Sequence, residues 1–440
     1  MKVGVITLGC AKNTVDTEIM LGDLKRHGYT LSSDASQAQV LVVNTCGFIE
    51  AAKQESINTI LEMADWKRSG QCRALIVTGC LTQRYGEQIL QEMPEVDGIL
   101  GTGNFHRLVE VIERTLNGER VLEITTPTFD YDQAGNRLRV TPKHSAYVKV
   151  AEGCDNCCTY CVIPLVRGGY HSRSARSILQ EVTTLAGEGV QEINLIAQDT
   201  TRYGWDLSGR FQLTELLRSL LLIQGPAWFR LLYCYPTHFT DELINLMGSD
   251  RRLVNYLDIP LQHISSRILR EMNRPADVDQ VRRLLNTLRE QIPGLTLRTS
   301  FIVGFPGETE ADVRRLADFI QETEFDHVGV FVYSQEEGTV AGGRTDQVPL
   351  RVRDERRDHL MSLQQPISRR RNQRYVGQTI EVLVEKAWPA GDGVVGRGRK
   401  DAPDVDGLVY VQGTQALPGS MILVDVKTVK DYDLTGVPHR

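Results

Sequence analysis

The first 120 residues repeat a unit in which a short β-rich apolar run is followed by a helical pattern. The three clearest apolar runs are Lys2–Leu8, Val40–Asn44 and Ala74–Thr78. Helical patterns follow at Asp16–Arg26, Ala51–Lys67 and Arg84–Met93. Strands that alternate with helices predict a parallel, doubly wound sheet of the α/β class, in which ligands bind beyond the carboxyl ends of the strands. Residues 1–120 are therefore predicted to form the first domain.

The alternation resumes after residues 121–143, a polar stretch that predicts a linker with a hairpin. Between residues 144 and 350, six more strand patterns alternate with helical ones. These strands are predicted at Tyr147–Ala151, Glu192–Ala197, Trp228–Tyr233, Tyr256–Ile259, Leu295–Val303 and His327–Tyr333. Six βα units predict a partial or full barrel, with its active site at the carboxyl ends of the strands.

The last 90 residues change character twice. Residues 351–375 form a helical pattern with eight arginines, interrupted by Pro366, which is typical of a solvent-exposed basic linker and could alternatively contact RNA. Beyond it, short strand patterns at Thr379–Glu385, Gly407–Val411 and Ser420–Thr428 alternate with turn residues. Residues 376–440 are therefore predicted to be a small OB-like barrel of five strands.

Composition narrows the class of protein. Apolar residues make up 41% of the 440 residues, charged residues 24%, and the formal charge is −6, so no overall basic field attracts nucleic acid. No apolar run approaches the roughly 18 residues needed to span a bilayer. The apolar start is shorter than a secretory signal core and is interpreted as a first strand, which predicts a cytoplasmic protein. In a reducing compartment, nine cysteines point to metal binding or catalysis rather than disulfides.

Four of those cysteines lie in the segment GCDNCCTYC, at 153–161. Cys154, Cys158 and Cys161 follow the first strand of the predicted barrel, and thiolates hold iron–sulfur clusters. Three ligands leave one iron of a [4Fe–4S] cluster open to bind a cofactor. Cys157 would permit two CxxC pairs that bind zinc, although such pairs without a spacer would bend the chain very tightly.

A second set comprises Cys10, Cys46 and Cys80, each placed just after one of the first three strand patterns and next to glycine. Buried packing residues would be an ordinary explanation for one such cysteine. Three at equivalent positions favour a second three-thiolate cluster at one edge of the sheet. Cys72 and Cys234 match neither pattern and are interpreted as packing residues.

The CxxxCxxC loop after the first strand of six βα units resembles the radical S-adenosylmethionine superfamily, and the whole chain resembles its methylthiotransferase family. The matching stretches are LGCAKNTVDTE, VNTCGFIEAAKQES, VTGCLTQRY, KVAEGCDNCCTYCVIP and IVGFPGETE. The resemblance implies a flavodoxin-like first domain, a radical barrel, a C-terminal TRAM barrel and two [4Fe–4S] clusters. It also implies two S-adenosylmethionine molecules: one methylates a sulfur on the auxiliary cluster, and the other yields a radical that removes hydrogen from a C–H bond.

Weaker signals suggest contacts to S-adenosylmethionine at strand ends. The candidates are Gln198, Asp199, Arg173, Arg298, Gly304, Gly307 and Glu308. Amide and carboxylate groups could hydrogen-bond the cofactor, arginines could pair with its carboxylate, and the glycines could permit close backbone approach. A tight βα turn explains the glycines equally well, and His263 is as readily a structural residue as a substrate contact.

Two branches of this family modify different substrates, a tRNA adenosine or the β-carbon of an aspartate in small-subunit ribosomal protein S-twelve. Residues 376–440 contain seven Lys/Arg and nine Asp/Glu, whereas RNA-binding modules are normally basic. The stretches LLYCYPTHFT, YLDIPLQHIS and GRGRKDAPDVDGLVYV also resemble the ribosomal-protein branch, the RimO type. Its reductant would be a flavodoxin or ferredoxin. An alternative of another class is a two-cluster electron-transfer protein.

Overall fold

A computed structural model of the protein describes residues 1–128, 131–133, 137–274, 277–389 and 391–440. Part of the predicted hairpin, at 129–130 and 134–136, lies outside the described residues. The chain forms two compact units. The first unit comprises Met1–Val140, Ala151–Ser174 and Ser334–Gly343, and the second comprises Thr141–Val150, Ala175–Tyr333 and Arg344–Arg440.

A six-stranded parallel sheet organises the first unit, in the order β2-β1-β3-β4-β5-β6. Its strands are β1 (Lys2–Thr7), β2 (Thr30–Ser32), β3 (Val40–Thr45), β4 (Ala74–Gly79), β5 (Gly98–Leu100) and β6 (Val121–Glu123). β3 and β4 are buried along their whole length, as expected for central parallel strands covered on both faces. The order confirms the predicted flavodoxin-like sheet.

Helices connect these strands. They are α1 (Ala11–Arg26), α2 (Glu50–Arg68), α3 (Cys80–Glu92) and α4 (Leu108–Leu116). α1 and α3 start earlier than the periodicity predicts, because each helix begins directly beside a cysteine at the end of a strand. This unit also contains the short pair β8 (Ala151–Glu152) and β9 (His171–Ser172), with helix α5 (Ile163–Arg167) between them.

The second unit contains the six strands that were predicted to form a barrel. They are β7 (Ser145–Lys149), β10 (Glu192–Ile196), β11 (Trp228–Leu231), β12 (Leu253–Asp258), β13 (Thr296–Val303) and β14 (His327–Val332). All neighbours pair in parallel in the order β14-β13-β12-β11-β10-β7, and β14 does not pair with β7, so the barrel is partial.

Helices accompany these strands in the second unit. They are α6 (Ala175–Gly187), α7 (Trp205–Ser208), α8 (Leu213–Leu220), α9 (Asp241–Ser249), α10 (Ser266–Glu271), α11 (Val278–Gln291), α12 (Glu310–Thr323) and α13 (Leu350–Gln373). Short 3-10 turns in the two units lie at Ala35–Gln37, Phe105–Arg107, Tyr131–Gln133 and Thr200–Arg202. Among the described residues, no helix combines the length and apolar character needed to cross a membrane.

The C-terminal residues form the predicted closed barrel of five strands, in the order β15-β16-β17-β19-β18. The strands are β15 (Thr379–Ala387), β16 (Gly393–Gly398), β17 (Val409–Gln412), β18 (Met421–Val429) and β19 (Leu434–Pro438). The strand patterns missed β16 and β19. β16 contains three glycines, which intrinsically disfavour strands, and its pairing with β15 and β17 overrides that preference.

Helix α13 corrects two expectations for the basic linker. The helix continues through Pro366 instead of being interrupted there, because the proline and Ser362, whose carbonyl it leaves free, both face solvent. Its arginines also do not form a simple solvated face. Arg353 and Arg356 are buried, and Arg371 pairs with the buried Asp326 at 2.9 Å. These arginines attach α13 to the strands and helices of its own unit.

A buried ion-pair cluster joins the partial barrel to the C-terminal barrel within the second unit. Glu192 on β10 accepts hydrogen bonds from Arg397 on β16 and from Arg230 on β11, both at 3.1 Å. Burial by itself would raise the pKa of Glu192, but the two arginines outweigh it and hold the pKa far below its usual range. The two barrels are therefore held together by charges inside the fold.

Candidate metal centres

The first cysteine set lies at the carboxyl ends of three neighbouring strands. β1 pairs with β3 up to Thr7 opposite Asn44, and β3 pairs with β4 up to Thr45 opposite Gly79. The residues that follow these ends include Cys10, Cys46 and Cys80. Parallel pairing in this register brings the three thiols to one edge of the sheet, as their spacing in the sequence predicts.

Two of these cysteines also lie at the start of helices. Cys10 is the N-cap residue of α1, and Cys80 is the first residue of α3. Helix N-termini carry a partial positive charge and unpaired backbone N–H groups, which favour a thiolate over a thiol. The strand-to-helix turns therefore present two sulfurs in an environment suited to metal ligands.

Close backbone packing at this edge requires glycine. Gly79 has φ of 104°, and a Cβ there would lie 2.4 Å from the carbonyl oxygen of Thr45. A Cβ on Gly47 would lie 2.7 Å from the backbone of Leu81. Larger residues would push apart the turns that carry Cys46 and Cys80. The glycines beside these cysteines thus have a direct geometric role.

The electrostatics of the three thiols show how near they are to one another. Burial, together with the nearby Cys80 and Cys10, raises the pKa of Cys46 to about 12, although the backbone N–H of Phe48 opposes the rise. Burial also raises the pKa of Cys80, while Arg167 opposes that rise. As thiolates these sulfurs would repel one another, and a metal centre bound by all three would relieve that repulsion. Three sulfur donors around such a centre fit an iron–sulfur cluster.

The second set lies on an irregular loop between β8 and α5. Cys154 donates its backbone N–H to Gly168 at 3.1 Å, and the Cys161 N–H reaches Cys158 at 3.0 Å. Gly153 has φ of 75°, and a Cβ there would lie 2.0 Å from the carbonyl oxygen of Gly169. Cys154, Cys158 and Cys161 are all partly exposed. A partly open loop with three thiols suits a cluster that must also meet a cofactor.

Cys157 differs from its neighbours, since it is exposed and has φ of 47°, a left-handed conformation that a non-glycine residue seldom adopts. Among the described residues, no group of three or more His, Cys, Asp or Glu side chains is arranged so that it could hold one metal ion. Ligands to one zinc ion converge on one point, whereas cluster ligands bind separate irons and stand farther apart. The cluster interpretation therefore remains the prediction for both sets.

The cysteines interpreted as packing residues are buried. Cys72 bonds the carbonyl oxygen of Ala74 at 3.2 Å, and burial raises its pKa. Cys234 is 1% exposed, and burial raises its pKa well above the usual value. Cys72 belongs to the hydrophobic core of the first unit, and the burial of both cysteines suits packing.

A buried polar cluster in the first unit was not predicted. The guanidinium of Arg167, at the end of α5, donates to Asp16 at 2.6 Å, to Glu152 at 3.3 Å and to Asn13. Tyr131 donates to the same two carboxylates at 2.7 and 2.9 Å. We call these five residues the Arg167 cluster. It connects the segment after the CxxxCxxC loop to helix α1.

Asn13 extends the Arg167 cluster to the first cysteine set. Its amide donates to the carbonyl oxygens of Leu8 and Thr45, at 2.8 and 3.0 Å, which fixes the turns before Cys10 and Cys46. The only sequence signal for this cluster is the occurrence of charged residues in otherwise buried stretches, such as Arg167 in VIPLVR. Their pairing joins positions about 150 residues apart, which periodicity does not reveal.

Of the predicted cofactor contacts, Asp199 is buried at the end of β10, where it accepts from Thr201 at 2.9 Å and approaches Nδ1 of His238 at 3.1 Å. Gln198 precedes it and is partly exposed. Arg173 is buried in the first unit. Arg298 pairs with Asp258 at 2.9 Å and lies 3.4 Å from Asp406. The structure thus gives Arg298 internal ion pairs in its own unit.

The glycine turn after β13 has internal partners as well. Glu308 accepts a hydrogen bond from Nε2 of His263 at 3.1 Å and pairs with Arg356 at 2.7 Å. His263 is thus buried with an internal partner, as a structural histidine would be. A Cβ on Gly304 would lie 2.2 Å from Arg353, and one on Gly307 would lie 2.7 Å from Asp346. At both positions the missing Cβ leaves space for a side chain from elsewhere in the protein.

Three protein-family models match successive stretches of the chain. The uncharacterized protein family UPF0004 matches residues 2–101, the radical SAM superfamily matches 148–320, and the TRAM domain matches 376–438. A solved radical S-adenosylmethionine methyltransferase, TsrM from Kitasatospora setae, has a TM-score of 0.59 at 15% identity. The match covers 78% of this chain and 77% of TsrM, and it supports the fold.

Relatives of much higher similarity match nearly the whole chain. A ribosomal protein uS12 methylthiotransferase RimO of Desulfitobacterium hafniense is 49% identical over 99% of this chain and 98% of its own length. One of Heliobacterium modesticaldum is 50% identical over 99% of this chain and 95% of its own. One of Pelotomaculum thermopropionicum is 49% identical, over 99% of each chain.

Proposed function

This chain belongs to the family of ribosomal protein uS12 methylthiotransferases of the RimO type, and we propose that it adds a methylthio group to the β-carbon of an aspartate in that protein. The observation that carries the proposal is an identity of about half to the RimO relatives over 99% of the chain. The enzyme is a radical S-adenosylmethionine transferase.

An iron–sulfur cluster and S-adenosylmethionine are the cofactors that this family requires. We assign the radical cluster to Cys154, Cys158 and Cys161, and an auxiliary cluster to Cys10, Cys46 and Cys80. Both sets supply three sulfurs and leave room for a fourth ligand from outside the protein. When bound, the two clusters and S-adenosylmethionine supply the electron, the radical and the methylthio group.

The protein itself positions these groups and controls access to them. Strand ends and glycine turns hold the auxiliary set, in which Cys80 is buried and Cys10 exposed, and the partly exposed loop holds the radical set. The weaker cofactor contacts, Gln198, Asp199 and Arg173, are retained as candidates for S-adenosylmethionine. The other candidates for contact with the cofactor already have close neighbours within the chain. They are Arg298, Gly304, Gly307 and Glu308.

Net charge alone does not decide the substrate. Asp401 and Asp406 of the C-terminal barrel point inward, where Lys400 contacts Asp401 at 2.6 Å and Arg298 lies 3.4 Å from Asp406. These acids therefore contribute less to the outer surface than the composition suggests. The choice of uS12 over a tRNA adenosine rests on the RimO relatives.

Other partners follow from the chemistry. Reductive cleavage of S-adenosylmethionine needs a one-electron donor, for which a flavodoxin or ferredoxin is suitable. The enzyme would act in the cytoplasm, where ribosomes assemble. An RNA contact through α13 would use its exposed arginines, such as Arg351 and Arg369, because the inner arginines of that helix are already engaged within the protein.

The direct test is a competition between two substrates. The anaerobically reconstituted enzyme is given reductant, S-adenosylmethionine, a peptide with the target aspartate loop of uS12 and a pool of tRNA. Mass spectrometry then locates any gain that corresponds to SCH3 in place of hydrogen. A gain on the peptide aspartate supports the proposal, and a gain on tRNA adenosine instead transfers the assignment to the other branch.

A matched pair of variants controls this test. Cys46→Ala removes a predicted ligand, whereas Cys72→Ala removes a buried cysteine of the same unit that is not one. Only the first should lose the product. A protein whose cluster EPR signal does not respond to S-adenosylmethionine would instead be an electron carrier, the alternative of another class.

A further inference from the structure

Arg167 occupies a position that joins the two cysteine sets within the first unit. It is the last residue of α5, six residues after Cys161, and it is 2% exposed. The Asn13 Oδ1 atom that accepts from its guanidinium lies 3.9 Å from the sulfur of Cys80.

The charges of the Arg167 cluster are unevenly balanced. One guanidinium faces the carboxylates of Asp16 and Glu152, and the amide oxygen of Asn13 links it to the Cys80 sulfur. In a buried site these charges are weakly screened, and an arginine remains protonated throughout the accessible pH range. Without Arg167, two carboxylates would face an anionic cluster directly.

We propose that Arg167 is a positioning residue that stabilises the reduced state of the auxiliary cluster and holds the loop of the radical cluster against it. The inference rests on the proposed assignment of Cys10, Cys46 and Cys80. A buried cation close to a ligand sulfur favours the added electron of a reduced cluster, whereas nearby carboxylates oppose it. Arg167 and Asp16 must therefore shift the potential in opposite directions.

The geometry explains why the residue has to be arginine. One terminal nitrogen of the planar guanidinium donates to Asp16 and Glu152, and the other terminal nitrogen donates to Asn13. Asn13 holds the turns before Cys10 and Cys46 through its own amide. A lysine would supply the charge without the fork that reaches several partners at once.

The experiment measures the auxiliary cluster by itself. Changing Cys154, Cys158 and Cys161 to Ala in the full chain removes the radical cluster and leaves the auxiliary one, whose potential is measured by EPR at a series of poised potentials. Arg167→Gln should lower the ratio of reduced to oxidised cluster about tenfold at a fixed potential, a shift of ~59 mV for one electron. Asp16→Asn should raise the ratio.

Two further variants keep the test decisive. Arg167→Lys should shift the potential less than Arg167→Gln does. The lysine variant also provides the test if the glutamine variant fails to fold. Arg107→Gln is the control, since Arg107 pairs with the acids Glu110 and Glu123 of the same unit, and it should leave the potential unchanged.

Opposite shifts in Arg167→Gln and Asp16→Asn would support the proposal. Shifts of the same sign would overturn the proposal, and so would an intact cluster whose potential is the same in both variants as in the parent. If the parent variant lacking the radical ligands holds no iron at all, the assignment of the auxiliary cluster fails instead. The two failures are therefore distinguishable.

Discussion

Cys10, Cys46 and Cys80 come from three strand ends spread over 71 residues, whereas Cys154, Cys158 and Cys161 come from one loop of eight residues. The first set depends on the register of the sheet and on glycines that let three turns approach each other. The second set depends mainly on local turns and on Gly153. In the distributed set Cys80 is buried, Cys46 is partly exposed and Cys10 is exposed, whereas all three cysteines of the local set are partly exposed.

This difference suggests a division of labour. A cluster that must meet S-adenosylmethionine and an electron donor benefits from an exposed loop, while one that stores a sulfur benefits from a protected edge. It also implies different sensitivities. Damage to the sheet should remove the auxiliary cluster alone, and damage to the loop should remove the radical cluster alone.

The largest effects are expected from the ligands themselves. Cys158→Ala should abolish formation of 5′-deoxyadenosine, because the radical cluster loses one of its three sulfurs. Cys46→Ala should abolish methylthio transfer while some cleavage of S-adenosylmethionine continues. Both products are quantified by liquid chromatography and mass spectrometry. Equal loss of both activities in both variants, with the other cluster intact, would break the division of labour.

The next largest effect should come from the backbone of the distributed set. Gly79→Ala places a Cβ 2.4 Å from the oxygen of Thr45 and should cost about 3 kcal/mol, through crowding added to the left-handed conformation. The variant should lose iron from the auxiliary set and keep the radical cluster, as measured by iron analysis and EPR.

Gly70→Ala is the matched control for that variant. Gly70 has φ of 98°, close to that of Gly79, but a Cβ there has nothing within 4 Å. It should cost only the conformational penalty of about 1–2 kcal/mol and retain all its iron. Equal iron loss in both variants would show that the close approach at Gly79 is unimportant.

An effect on stability that leaves the clusters untouched is expected at a buried ion pair in the other unit. Glu192→Gln leaves Arg397 and Arg230 without their carboxylate and should destabilise the protein by about 3–5 kcal/mol at pH 7, with iron content unchanged. Denaturation at several pH values measures this. Glu381→Gln, at the surface of the C-terminal barrel, should cost about 1 kcal/mol or less.

The pH dependence of the Glu192 effect has a definite sign. The arginines hold the folded-state pKa of Glu192 far below its unfolded value of about 4.3, so its contribution is complete above that value. The contribution falls as the pH drops below about 4.3 toward the folded-state pKa. A stability difference between the parent protein and Glu192→Gln that grew on acidification would contradict this.

The smallest effect is expected at Cys157. Because its side chain is exposed, Cys157→Ala should change stability by about 0.5 kcal/mol or less and leave 5′-deoxyadenosine formation intact. Loss of the radical cluster in this variant would show that the ligand register within the loop is different, and it would revive the zinc interpretation.

Much of the architecture was predictable because it follows from local patterns. The alternation of β3, β4 and their helices gave the parallel sheet, and the cysteine spacing gave the two sets. The Arg167 cluster was not predictable, since it joins residues of α1 to a helix about 150 residues later. Such pairings depend on the three-dimensional fold.

The basic helix α13 shows a second limit. A run of arginines reads as solvated from its composition, but Arg353 and Arg356 pack inside the unit, where they bond Val348 and Glu308. Long side chains can bury their stems and still pair their heads, so charge counts overestimate exposure. The missed strands β16 and β19 likewise gain stability from their neighbours rather than from their own residues.

The central claim is that each cysteine set holds its own cluster, and iron analysis with EPR tests it most directly. The reconstituted chain should hold about eight irons, the content of two [4Fe–4S] clusters, and each triple cysteine-to-alanine variant about four. Only the variant that retains Cys154, Cys158 and Cys161 should change its EPR signal when S-adenosylmethionine is added. A chain whose iron is undiminished after removal of Cys10, Cys46 and Cys80 would contradict the account.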